Sequence, residues 1–85
     1  MAKNKIELTP EINVDHILDA IQSKYSREKV NTIDGVKIDF PDSWVHLRKS
    51  NTEPIIRIYS EAVTAEKAND LADSIIEEIR SITNS

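Results

Sequence analysis

Hydrophobic residues along this chain follow two rhythms, and the rhythm changes where turn residues intervene. Lys5 to Leu8 reads as a short opening strand, broken by Thr9-Pro10. Asn13 is placed to cap a helix, with Ile12 and Ile17 at the two positions of a hydrophobic staple across its first turn. Val14, Ile17, Leu18, Ile21 and Tyr25 then recur at helical spacing, which predicts an amphipathic helix from about Val14 to Tyr25.

The rhythm then shortens to two. Val30 and Ile33 lead into Asp34-Gly35, a dipeptide suited to a type I′ hairpin turn because both centres need positive φ. Val36, Ile38 and Phe40 alternate with Lys37 and Asp39, as in a half-buried strand. Pro41-Asp42-Ser43 turns the chain into Trp44–Arg48, with Val45 and Leu47 on one face and Trp44, His46 and Arg48 on the other. Lys49 to Pro54 is polar and ends that strand, since proline has no amide to donate to a ladder. Ile55–Tyr59 is the next strand, with Ile56 and Ile58 facing one way and Ile55, Arg57 and Tyr59 the other. Thr64 caps a last helix whose apolar stripe is Ala65, Ala68, Leu71, Ala72, Ile75, Ile76, Ile79 and Ile82. The order is strand, helix, four antiparallel strands, helix. Two helices with one apolar face each belong on one face of the sheet, which predicts an α+β two-layer sandwich.

Composition changes this picture little. The 85 residues allow one small domain, and 39% hydrophobic with 31% charged residues is ordinary for a folded chain. No apolar run is long enough to span a bilayer, and the N-terminus lacks a secretory signal. With no cysteine, disulfides and thiolate metal sites are excluded. A cytoplasmic protein without a membrane partner is the expectation. Net charge changes the picture more. At −4 it argues against a general nucleic-acid binder, so anion binding would need a local cluster of positive groups.

One such cluster is available. Arg48 ends one strand, Arg57 lies in the next, and an antiparallel pair would bring both guanidiniums to one sheet end. Between them Ser50, Asn51 and Thr52 offer two hydroxyls and an amide to phosphate oxygens. Asn51 tolerates left-handed backbone, so the loop amides can converge on an anion. Taken by composition alone, the segment is an ordinary polar turn, with arginines free to pair with Glu53 or Glu61. His16 and His46 are isolated and read as surface or packing residues; Ser50 has no adjacent base to make it a nucleophile. Trp44 and Tyr59 are expected on the outer sheet face, where a bare aromatic platform would favour nucleic-acid stacking.

The string Arg48-Lys-Ser-Asn-Thr-Glu-Pro54, followed by Ile55-Ile-Arg-Ile-Tyr59, resembles the phosphate-binding loop in the fourth domain of the α-D-phosphohexomutases. Their pattern is Arg-x-Ser-Asn/Gly-Thr-x-Pro before a hydrophobic strand. The Asp34–Asp39 hairpin, Glu61-Ala62 and the final helix look like this family as well, so the resemblance covers almost the whole chain. It implies a TATA-binding-protein-like fold and a single C-terminal domain, residues 1–85, of a longer enzyme. It also implies that Arg48, Ser50, Asn51, Thr52 and Arg57 hold a substrate phosphate, with Glu53 structural and Lys49 facing solvent.

The reaction so implied moves a phosphoryl group between the 1 and 6 positions of a hexose through a bisphosphate. The phosphoserine donor, the Mg2+ held by aspartates and the sugar-recognition loop belong to the family's other domains, and their motifs do not occur in this chain. The implied partners are therefore a phosphosugar and those other domains. The chain alone is expected to be inactive, with no catalytic residue and no metal of its own. Asn51 looks more like the phosphomannomutase/phosphoglucomutase branch than the phosphoglucosamine mutase branch. A free-standing binding module on the same fold is the alternative.

Overall fold

The computed structural model describes residues 2–9, 11–33, 35–50 and 53–83, and the expected elements form in the expected order. They are β1 (Ala2–Glu7), α1 (Val14–Lys24), β2 (Lys29–Asn31), β3 (Val36–Asp39), β4 (Trp44–Lys49), β5 (Ile55–Glu61) and α2 (Ala65–Thr83). Asn13 starts α1 by accepting from the His16 amide at 3.2 Å, and Thr64 starts α2 by accepting from Lys67 at 3.1 Å. Each cap satisfies one of the amides that a helix N-terminus leaves unpaired.

The strands form a five-stranded sheet in the order β1-β5-β4-β3-β2, with each neighbouring pair antiparallel. Ile6, Val36, Ile38, Val45, Leu47, Ile56 and Ile58 share one face of it. They join Ile17, Leu18 and Ile21 of α1 and Ala72, Ile75 and Ile79 of α2 in a single core. Both helices therefore cover the same face, and the protein is an α+β two-layer sandwich. Fully burying side chains of this size stabilises by about 1.5–3 kcal/mol each, which makes this layer contact the main source of stability. No described helix is long and apolar enough to cross a membrane.

Two polar links tie α2 down, one to the sheet and one to α1. Ser60, fully buried on the inner face of β5, donates its hydroxyl to the Ala68 carbonyl of α2 at 2.8 Å. Ser60→Ala is expected to cost about 1 kcal/mol in a urea titration, the usual net worth of such a bond. Tyr25, just after α1, donates to the Glu78 carboxylate of α2 at 2.7 Å, and Lys24 pairs with the same carboxylate at 3.1 Å. Burial holds the Tyr25 phenol well above its ordinary value, and the hydrogen bond and charge of Glu78 push the same way. A raised phenol pKa means that the folded state keeps its proton longer than the unfolded chain. The stability it contributes is thus complete below about pH 10, the unfolded value, and falls as pH rises beyond it. Urea titrations at pH 9 and pH 11 should show that fall in the parent chain and a smaller one in Tyr25→Phe.

Several boundaries differ from expectation: β4 runs on to Lys49 and β5 to Glu61, one and two residues past the pattern. β1 begins at Ala2 and ends at Glu7, three residues earlier than the pattern at its start and one at its end. Only Ile6 in it is buried, so main-chain pairing with β5, and not an apolar alternation, defines the strand. The β2–β3 connection is not the two-residue type I′ hairpin. Asn31 pairs with Lys37, leaving five residues between them, whereas a turn centred on Asp34-Gly35 would pair Ile33 with Val36. That tighter register would set Asn31 beside Ile38 on the core face. The observed one sets Val30 there, and a slip of one residue exchanges the two faces. Asn31 instead ends the strand by accepting from the Ile33 amide at 2.9 Å, and the Ile33 side chain is exposed. Gly35 has φ 77°, as the turn chemistry required, while Asp34 lies outside the described residues.

Candidate anion-binding site

The site lies where β4 hands over to β5. Arg48 and Arg57 are direct cross-strand partners. Residues so paired point to the same face of a sheet, with Cβ atoms about 4.5–5.5 Å apart. That face is the one away from the helices, and both arginines are exposed on it. Two like charges placed opposite each other destabilise a sheet slightly, so this pairing is a feature that an anion would relieve. Of the two carboxylates that sequence offered as partners, Glu61 accepts from the Trp44 indole at 3.2 Å. Among the described residues Arg57 makes no ion pair.

Several hydrogen bonds hold the connection between the arginines. Ser50 donates its amide to the Ile55 carbonyl at 3.1 Å, and Ile55 donates to the Glu53 carbonyl at 2.8 Å, closing the base. The Ser50 hydroxyl accepts from the Glu53 amide at 3.3 Å. Just past β1, the Leu8 amide donates to the Pro54 carbonyl at 2.7 Å. Asn51 and Thr52, the other two expected ligand residues, lie outside the described residues. Lys49 is exposed, as expected, and it also pairs with Asp15 in the first turn of α1 at 2.8 Å. The pair borders a cavity of about 350 Å³ that also meets Asp19, Gln22, Thr32 and Arg48.

Gly35 sits against the same strand end. A Cβ there would collide with the Leu47 carbonyl oxygen and crowd Arg48 Cγ, so the turn before β3 is packed directly under an arginine of the site.

Elsewhere on the outer face, His46 stacks obliquely on Tyr59 with ring centroids 6.5 Å apart. The Lys37 ammonium lies 5.2 Å from the Trp44 ring centroid, a cation–π contact that covers the face a nucleobase would need. The described residues contain no group of three or more His, Cys, Asp or Glu that could hold a metal ion.

A model of the family described as phosphoglucomutase/phosphomannomutase, C-terminal domain, matches residues 4–78. This chain belongs to that family. Among its relatives, a phosphoglucosamine/phosphogalactosamine mutase of Sulfurisphaera tokodaii is 44% identical over 88% of this chain and 17% of its own length. A phosphoglucomutase/phosphomannomutase of Thermococcus kodakarensis is 60% identical over 49% of this chain and 9% of its own length. A phosphomannomutase/phosphoglucomutase of Pseudomonas aeruginosa is 29% identical over 91% of this chain and 19% of its own length. This C-terminal domain thus spans about a fifth or less of these curated relatives.

As a member of the mutase C-terminal family, the chain has an α+β sandwich that brings Arg48, Ser50 and Arg57 of the resemblance's five residues to one sheet end. Sequence reading missed Lys5 and Lys3, which β1 adds to the same face. Lys5 is the cross-strand partner of Arg57, and Lys3 that of Tyr59. Their alternation around Asn4 was visible, but the strand they pair with is about fifty residues away and no local signal names it.

Proposed function

We propose that this domain positions the phosphate of a phosphosugar for a phosphohexomutase that interconverts hexose 1-phosphate and hexose 6-phosphate. Arg48 and Arg57 supply paired charge, and Ser50, Asn51 and Thr52 supply hydroxyl, amide and backbone donors between them. The reading is supported most by one observation, the direct cross-strand placement of Arg48 and Arg57 at the base of the Ser50–Pro54 connection. The other domains of the enzyme are its partners, and they supply the phosphoserine and the Mg2+. Holding the phosphate end restricts the substrate's orientation, which lowers the entropic part of the barrier at its other end. The sugar is proposed to be a plain hexose of the phosphomannomutase/phosphoglucomutase type, on the strength of Asn51. The names of the relatives include amino-sugar and plain-hexose enzymes alike.

A few charge-assisted bonds at an open loop support a dissociation constant on the order of millimolar. Glucose 1,6-bisphosphate or inorganic phosphate should therefore shift the amide resonances of Ser50 to Glu53 in this chain. Arg48→Ala or Arg57→Ala should weaken the response about tenfold, as the loss of one such bond requires. An unchanged loop at high millimolar ligand would reject the reading. The chain alone should convert no glucose 1-phosphate to glucose 6-phosphate, and a rate above background would move the chemistry into this domain.

A further inference from the structure

We propose a second anion subsite beside the arginine pair, in the depression between β1 and β5, that takes a phosphate dianion or the phosphate end of a monoester. The depression, about 440 Å³, is lined by Lys3, Asn4, Lys5, Arg57 and Tyr59. Its residues come from two registers of one antiparallel pair. Lys5 stands opposite Arg57, and Lys3 opposite Tyr59. Because Arg57 also stands opposite Arg48, three cations cross the sheet side by side on neighbouring strands. Each like-charge neighbour is unfavourable in the free protein. A row of this kind, in a chain whose net charge is −4, concentrates positive potential on one face.

Among the described residues, few carboxylates are placed to neutralise Lys3, Lys5 and Arg57. Asp39 and Glu61 flank Trp44 in a cross-strand row four residues along β5 from Arg57, roughly 13 Å away. Asp39 is 3.7 Å from Lys37, and Glu61 is bonded to Trp44. Glu7 is the near one, 3.7 Å from Lys5 with both side chains mostly exposed. That distance is longer than the 2.7–2.9 Å or so of a charge-assisted hydrogen bond, and an exposed pair of this kind is worth little. A doubly charged phosphate between Lys3, Lys5 and Arg57 displaces it readily. Tyr59, which also lines the depression, adds a neutral phenol donor.

This subsite shares Arg57 with the loop of the proposed function but does not depend on it, so the two fail separately. The test is an amide-resolved titration of the 85-residue chain with inorganic phosphate, repeated with glucose 6-phosphate and at matched ionic strength with sodium chloride. Two sets of shifts are expected, one at Ser50–Glu53 and one at Lys3–Lys5 with Tyr59. Lys3→Gln/Lys5→Gln should weaken the second set about tenfold and leave the first within about twofold, since it removes two surface charges. Glu7→Gln should tighten the second set, and Arg48→Gln should affect chiefly the first. These exposed positions leave the core intact, and retained resonance dispersion checks the fold. Shifts at Ser50–Glu53 alone overturn the subsite and keep the loop. A β1 response that survives the double lysine change, or that sodium chloride reproduces, also overturns it. Shifts at β1 alone support the subsite and reject the loop, and no shift anywhere rejects both. If only inorganic phosphate acts, the ligand is the free ion; a response to glucose 6-phosphate as well assigns it to phosphomonoesters.

Discussion

Gly35→Ala is expected to destabilise the domain by about 2–5 kcal/mol and to disturb Arg48. Left-handed backbone costs a residue with a Cβ about 1–2 kcal/mol, and forcing a methyl into filled space adds about 1–3 kcal/mol. Both penalties apply, since Gly35 has φ 77° and its missing Cβ would meet the Leu47 carbonyl oxygen. A domain of this length has about 4–13 kcal/mol of stability in total, so the loss is a large share. Leu47 cannot yield easily because its side chain is fully buried. The relief must come from the end of β4, where Arg48 follows. Urea denaturation measures the first effect and the Arg48 side-chain resonance the second. A change below about 0.5 kcal/mol would show that the turn is looser than described.

Ile58→Ala is expected to cost about 2–5 kcal/mol, the range for deleting a buried aliphatic side chain and leaving part of its cavity. Ile58 is fully buried on β5, between Arg57 and Tyr59, and β5 pairs with both β1 and β4. Its loss therefore weakens the strand on which both candidate anion positions depend. Ile33→Ala is the control. Ile33 is 92% exposed, so the same kind of truncation there should change stability by no more than about 0.5 kcal/mol. If the two variants unfold at equal urea concentrations, the core is not where the buried face places it.

Much of the fold was legible because local signals and burial agreed. Asn13 and Thr64 cap the helices they were expected to cap, and Val45/Leu47 and Ile56/Ile58 face inward as their alternation required. Where sequence reading failed, the deciding force acted at long range. The Asp34-Gly35 dipeptide argued for a tight hairpin, but burial of Val30 against the core selected a wider connection. Ala2-Lys3-Asn4 carries no strand signal of its own and becomes strand only by pairing with β5. The site divides the same way. The Arg48–Pro54 string pointed to phosphate, and the register then placed Arg57 directly across from Arg48. The contributions of Lys5 from β1 and of Asp15 from α1 depend on contacts across the fold that no spacing encodes.

The strand order has a consequence for how the protein assembles. β3, β4 and β5 pair with their sequence neighbours, so each closes a short loop. β1 docks on β5, with Ile6 beside Ile56, and must close a loop of about fifty residues. Contacts of such separation form late, after local hairpins have reduced the chain's freedom. The meander should therefore nucleate first and the N-terminal strand arrive last. On a ribosome, the opening residues would wait without a partner until nearly two thirds of this segment had emerged, and the sheet would then grow backwards, its first-made strand the last to be laid down.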